Sequence, residues 1–146
     1  MWWPALQSLG DWLKADPDLA GVAVRYGVSN PFPAQDFIDL RYGGSPASEI
    51  ADASFGDDEL WIDVFKKLTG ADAPTQHETG VAYQQLYTLQ RAVLTSIGQW
   101  FRGTDALGGA AFNVTSRRID PDGELFRADE LAGCRIVLNI NWQSGE

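Results

Sequence analysis

The chain has 146 residues, 45% hydrophobic and 21% charged, which is the size and composition of one folded domain and not of a disordered acidic tail. Twenty acidic against eleven basic residues leave a net charge of −9, which speaks against a basic surface that wraps nucleic acid or docks on anionic lipid. Aromatic residues at 12%, six of them Trp, suffice for a core and for a partner surface besides.

The first predicted element is a helix of about three turns. Pro4 suits its first position, and Leu6, Leu9, Trp12 and Leu13 share one face at three- and four-residue spacing. Asp16-Pro17 ends it, because the residue before Pro is pushed out of the α region. From Gly21 to Ser29 the chain alternates, with Val22, Val24, Tyr26 and Val28 opposite Ala23, Arg25 and Gly27, as in a half-buried strand. After the rigid connection Asn30-Pro31-Phe32-Pro33, residues Gln35 to Tyr42 alternate again, Ile38, Leu40 and Tyr42 against Phe37, Asp39 and Arg41. Residues 43 to 57 carry turn chemistry and read as a long loop. Asp58 to Thr69 is the strongest strand, with Leu60, Ile62 and Val64 on one face and Trp61, Asp63 and Phe65 on the other. Apolar residues on both sides imply that both faces are at least partly covered.

Thr75-Gln76-His77-Glu78 matches a capping box, and a long helix is predicted from about Gln76 to Phe101. Ala82, Leu86, Leu89, Val93, Ile97 and Trp100 form its apolar stripe; Arg102 and Gly103 suit its C-terminus. Ala111 to Ile119 reads as a strand, Phe112, Val114 and Ser116 alternating with Asn113, Thr115 and Arg117. Asp120-Pro121-Asp122-Gly123 is a turn, Glu124 to Phe126 can pair back locally, and Cys134 to Trp142 is the last strand. Cys134, Ile136, Leu138, Ile140 and Trp142 take its core face. The expected fold is α+β: one domain over residues 1–146, a mostly antiparallel sheet with an N-terminal helix and one long helix packed on one face.

The sequence shows no constellation for catalysis. It has no Gly-x-Ser-x-Gly, P-loop or Gly-x-Gly-x-x-Gly motif. One cysteine, Cys134, excludes a disulfide framework, and one histidine, His77, excludes His-Glu-x-x-His; neither has a partner for nucleophilic chemistry. Cys134 reads as a buried strand residue and His77 as an exposed one. Asp120 to Glu124 superficially matches a calcium loop, but its Gly comes too early and the twelfth-position Glu is missing. Asn113-Val114-Thr115 is a glycosylation sequon that, without a secretion signal, reads as ordinary strand. Nothing calls for a catalytic residue, a cofactor or a metal. No apolar run reaches the ~20 residues of a membrane span. Met1-Trp2-Trp3-Pro4 lacks the basic start of a signal peptide, so synthesis and residence in the cytoplasm are expected.

One charge feature stands out. Between Tyr42 and Phe65 lie six acids, Glu49, Asp52, Asp57, Asp58, Glu59 and Asp63, and no Lys or Arg. The stretch is either a solvated loop kept soluble by charge, or a surface that repels nucleic acid or meets a basic partner.

In order and spacing these elements resemble the tail-completion, or tail-terminator, proteins of long-tailed bacteriophages and related gene transfer agents. The resemblance spans almost the whole chain. It runs from the helix Ala5-Leu6-x-x-Leu9 closing on Ala15-Asp16-Pro17-x-Leu19, through a Val-rich strand, to Pro31-Phe32-Pro33 leading into Phe37-Ile38-Asp39-Leu40. The central strand Glu59 to Phe65, the long helix, Arg117-Arg118-Ile119-Asp120-Pro121-Asp122-Gly123 and the final strand Arg135 to Ile140 complete it. The stretch from Gly43 to Asp57 departs from it, being longer and more acidic. The resemblance implies a virion structural protein of the tail-neck region, made in a host bacterial cytoplasm and without enzymatic activity. It implies a ring, usually a hexamer, that caps the last ring of the tail tube, stops its growth and presents a surface to the head-side connector or stopper, with DNA passing through the lumen. Its partners would be its own copies, the tube protein and the connector, with no specific nucleic-acid binding and no membrane. On this reading some of the six acids face the DNA channel or its rim, from the loop rather than from mid-strand, and Trp61 and Phe65 mark a ring-contact strand. The nearest alternative is another neck or tail ring component, a head–tail connector or a tube subunit. A different class is an acidic inhibitor that mimics DNA, against which stands the cluster Arg117, Arg118, Arg127 and Arg135 in the last third. An unrecognised enzyme ranks third.

Overall fold

Strand pairing is organised around the two longest strands. In a computed structural model, which describes residues 2–27, 35–44, 55–67, 76–103, 111–120 and 131–143, β3 (Phe55–Lys67) pairs along its whole length with β5 (Leu131–Gln143). On the far side of β3 lies β2 (Phe37–Gly44), and beyond it β1 (Ala23–Tyr26). β4 (Ala111–Asp120) flanks β5, giving the five-stranded order β1-β2-β3-β5-β4. Only β1 and β2 are parallel; every other pair is antiparallel. Two helices, α1 (Trp2–Ala15) and α2 (Gln76–Gly103), pack on one face. The α+β architecture is the one the periodicities predict.

The helices form where the stripes predict. α1 buries Leu6, Leu9 and Leu13 and stops at Asp16, whose backbone is extended (φ −73°, ψ 117°) before Pro17. The Asp16 carboxylate accepts from the Asp18 amide at 2.9 Å and caps a short 3-10 turn over Pro17–Leu19. α1 begins two residues before Pro4, which still falls in the first turn, where amides have no helical partner. α2 buries Leu86, Leu89, Val93, Ile97 and Trp100. Two indole N–H groups tie the helices together: Trp12 donates to the Ser96 carbonyl at 3.0 Å, and Trp100 to the Ser8 hydroxyl at 3.1 Å. Facing them from the sheet are Ile38, Leu40, Leu60, Ile62, Val64, Cys134, Ile136, Leu138 and Ile140. Thr75 of the expected capping box and the segments 28–34, 45–54 and 121–130 lie outside the described residues.

Several features differ from the sequence reading: β2 runs over Phe37–Gly44 where Gln35 to Tyr42 was expected, and β5 begins at Leu131 and not at Cys134. β1 covers only Ala23–Tyr26, between Gly21 (φ +86°) and Gly27 (φ +71°), whose left-handed backbone ends the strand. β3 starts at Phe55 and not at Asp58, because the partner strand β5 extends to Gln143 and supplies hydrogen bonds to the residues read as loop. In β4 the register slips between Val114 and Ser116, so Val114 stands opposite Ile140 but Arg117 opposite Leu138. The strict alternation expected through Ser116 is therefore broken by a bulge.

Leu89 is 9% exposed at the centre of the α2 stripe. Leu89→Asp places an uncompensated charge in the core and is expected to cost about 3–5 kcal/mol, lowering the melting temperature by on the order of 10 °C or more. A melt within two or so degrees of the parent would overturn the helix register.

Candidate functional site: the helix-free face of the sheet

Strand alternation gives the sheet a second face, opposite the helices, and sends Arg25, Asp39, Arg41, Trp61, Asp63, Phe65 and Arg135 to it. Register then aligns a single row across all five strands. Arg25 stands opposite Asp39, Asp39 opposite Asp63, Asp63 opposite Arg135, and Arg135 opposite Asp120.

The centre of this row is two carboxylates side by side, both with 0% side-chain exposure. Like charges directly opposite each other destabilise a sheet unless they are compensated. Here the compensation is a pair of forks. Arg25 donates through Nε to Asp39 Oδ1 and through Nη2 to Oδ2. Arg135 donates through Nε to Asp63 Oδ1 at 2.7 Å and through Nη2 to Oδ2 at 3.2 Å. Planar two-point contacts of this kind are the strong form of the ion pair. Arg41, one rung along, lies between the acids, with Nε 3.3 Å from Asp63 Oδ2 and Nη2 3.9 Å from Asp39 Oδ2. It acts by charge and not by a directed bond, for its Nε makes no hydrogen bond.

Aromatic rings support the arginines. The Arg25 guanidinium lies 4.8 Å from the Phe37 ring centre, and that of Arg135 lies 4.0 Å from Trp61. Phe37 stacks on Phe65 at 4.6 Å. The Trp61 indole occupies the space where Gly43 has no side chain; a Cβ there would sit 2.1 Å from Nε1.

The six acids of the central stretch do not form one surface. Asp63 is buried in the row just described. Glu59, on the same face, accepts from Trp61 Nε1 at 3.2 Å. Asp58 points to the helix-bearing face, is 6% exposed, and accepts from the Tyr42 hydroxyl at 2.8 Å. Tyr42 in turn stacks on Trp2, ring centres 4.2 Å apart. Asp57 falls within β3, at a register position opposite Asn141. Glu49 and Asp52 lie outside the described residues. Of the expected contact residues, Phe65 is 5% exposed and already covered by this chain, while Trp61 is half-buried.

The sequence reading missed the roles of Arg25, Asp39, Arg41 and Arg135. The signal available was their position: a charged residue at mid-strand, with apolar residues on both faces of the same strand.

Cys134 is buried and free, as its alternation predicts. Burial, and then the nearby Asp63 charge, push its thiol up to about 11. Burial pushes the Tyr42 hydroxyl up to about 12, helped by its bond to Asp58 and that carboxylate's charge. Among the described residues no group of three or more His, Cys, Asp or Glu is placed to hold a metal ion. A cleft of about 170 Å³ between α1 and α2 is lined by Trp12, Ala15, Asp16, Pro17 and Gln99, with no convergence of ionisable groups. Among the described residues no helix is long and apolar enough to cross a membrane.

No family model matches the sequence, and no curated protein is similar to it. Solved structures do match. One, whose name states no activity, is 17% identical and covers 96% of this chain and 91% of that one, with a TM-score of 0.50. Another comes from the virion of a native gene transfer agent (GTA) particle, at 15% identity over 94% of this chain and 92% of that one, with a TM-score of 0.45. At these identities the likeness is one of fold.

Removing one member of a buried pair strands its partners. Asp63→Asn removes the carboxylate that the Arg135 fork binds and one of the two that flank Arg41, and is expected to lower stability by about 3 kcal/mol in urea titrations at neutral pH. A change below about 0.5 kcal/mol would show that the row does not hold the sheet. At alkaline pH the native chain keeps the Cys134 and Tyr42 protons longer than the unfolded chain, whose groups release them near 9.0 and 10.0. Stability should therefore be whole below about pH 9 and fall as pH rises through about 12. Tyr42→Phe should remove the part of this fall above about pH 10 that Tyr42 causes; an unchanged profile would refute its assignment.

Proposed function

We propose that this protein is a tail terminator of a long-tailed bacteriophage or gene transfer agent: a ring, of six copies, that caps the tail tube and joins it to the head-side connector. The observation that carries the reading is the order and spacing of elements. A helix closing on Asp16-Pro17, a Val-rich first strand, a Pro-x-Pro lead into the second, a long central strand, one long helix and two final strands follow one another in the order that the resemblance to that family implies. The role is architectural and needs no catalytic residue, cofactor or metal. It accounts for an acidic chain that touches nucleic acid only in transit. DNA gains free energy by shedding counterions onto a basic wall, and a wall of carboxylates denies it that gain.

The acids proposed for the lumen or its rim narrow to Glu49, Asp52 and Asp57. Asp58, Glu59 and Asp63 are engaged by Tyr42, Trp61 and Arg135 within the chain. Six copies of the remaining three would set about eighteen negative charges round one annulus, where a narrow low-dielectric channel concentrates the field.

The test is tail assembly with and without the protein. Without it, tubes should run past their normal length and heads should remain unjoined; normal tails joined to heads would overturn the proposal. With the triple variant Glu49→Lys, Asp52→Lys, Asp57→Lys, tails should assemble and join. DNA delivery should fall about tenfold at low salt and recover as salt screens the new charges. A triple variant that fails to join heads, while its few complete particles deliver DNA normally, would make the stretch a docking surface and not a lumen.

A further inference from the structure

The helix-free face holds one arginine whose donors the described residues leave unused. In the row through Asp39 and Asp63, the forks of Arg25 and Arg135 each engage one carboxylate at two points. Arg41, the third guanidinium, lies near both acids but donates a hydrogen bond to neither, and among the described residues it donates to no other group. Of its nitrogens only Nε is both buried and unbonded, which leaves the two Nη groups at the solvent-facing end of a side chain that is 29% exposed.

Charge and surroundings say what fills those donors. Asp39 and Asp63 have no exposed side-chain surface, whereas the three arginines over them are part-exposed, so an approaching group meets cations first. Three arginines against two aspartates leave this row one positive charge in excess, within a chain of net charge −9. Arg41 leans toward Asp63, while Glu59, on the other side of Trp61 along β3, is tied to the Trp61 indole N–H. On β4, Asp120 and Arg118 offset each other, at register positions opposite Arg135 and Val137. Trp61 stands opposite Arg41 and is half-buried. The Arg135 guanidinium over its ring and the bare backbone of Gly43 against its edge hold it there as an apolar wall beside the open donors.

We propose that Arg41 and Trp61 form a docking point for a carboxylate of a partner protein, an Asp or Glu side chain or a C-terminus, laid on the helix-free face of the sheet. The two Nη groups of Arg41 take the two carboxylate oxygens, and the Trp61 ring covers the carbon stem. A charged donor that is part-buried and unbonded carries a free-energy cost that such a carboxylate removes. One negative charge closes the row at three against three. A phosphate, with up to two, overshoots it and brings more charge against an acidic chain. Trp and Arg are the residues that most often carry binding energy at protein interfaces, and Trp61 is already fixed before a partner arrives, which lowers the ordering cost. The docking point stands apart from the ring proposed above, since it needs no second copy of this chain.

Titration of the full chain with acetate against chloride at constant ionic strength, followed in nitrogen–proton correlation spectra, tests it. The Arg41 Nε–H and Trp61 Nε1–H signals should move together and saturate, half-way below about 100 mM acetate. Arg91, exposed on α2, should show no saturation in that range. Arg41→Lys keeps the charge over Asp39 and Asp63 but loses the fork, and should weaken the Trp61 response at least about fivefold. No saturable shift at Arg41, an equal response at Arg91, or an undiminished Trp61 response in Arg41→Lys would overturn the docking point. Inorganic phosphate that saturates the same signals at lower concentration than acetate would overturn the carboxylate assignment and make the partner a phosphate-bearing one.

Discussion

Asp39 and Asp63 face each other across β2 and β3 with no exposed side-chain surface. Two ionised carboxylates so placed, out of water, are tolerated only because three guanidinium groups surround them. The requirement spreads outward. Arg135 is held flat by Trp61, and Trp61 needs Gly43 to have no side chain. Arg25 lies over Phe37, and Phe37 needs Phe65 beneath it. These side chains of the sheet's second face thus form one connected arrangement that keeps two charges satisfied.

The same pair fixes register. Slipping β2 or β3 by one residue would carry its Asp into the layer of Leu60, Ile62 and Leu138 beneath the helices, and send those aliphatic residues out. A register error on either strand is therefore penalised twice, by an unpaired buried charge and by lost apolar burial. An all-apolar second face would be at least as stable, but it would punish a slip less. The bulge at Gly43 and the one in β4 lie away from this rung, where pairing can be irregular without moving a charge.

The parts of the fold legible in the sequence are those with a strong period. The stripes of α1 and α2, the apolar alternation of β2, β3 and β5, and the Asp16-Pro17 stop all stand where the spacing puts them. What was not legible depended on a partner far along the chain. The true start of β3 is set by the length of β5, whereas β1 is cut short locally by the left-handed backbone at Gly27. The acids were the hardest to place, because a sequence shows them as one run. Alternation in β3 divides that run, sending Asp58 to the helix side and Glu59 and Asp63 to the other. Arg41 and Arg135, the counter-charges of Asp63, come from two other strands and are invisible until those strands pair.

Pairing also changes what the net charge means. On the second face three arginines are committed to two carboxylates, so the rest of the chain is more negative than the formal −9. Like charges on two copies of such a chain oppose their approach, so any apolar contact between copies works against that repulsion. In the proposed ring this repulsion is useful. A terminator on that reading must not stack on copies of itself, and acidic surfaces that repel one another oppose such stacking, whereas a tube subunit has to overcome the same repulsion at every added ring.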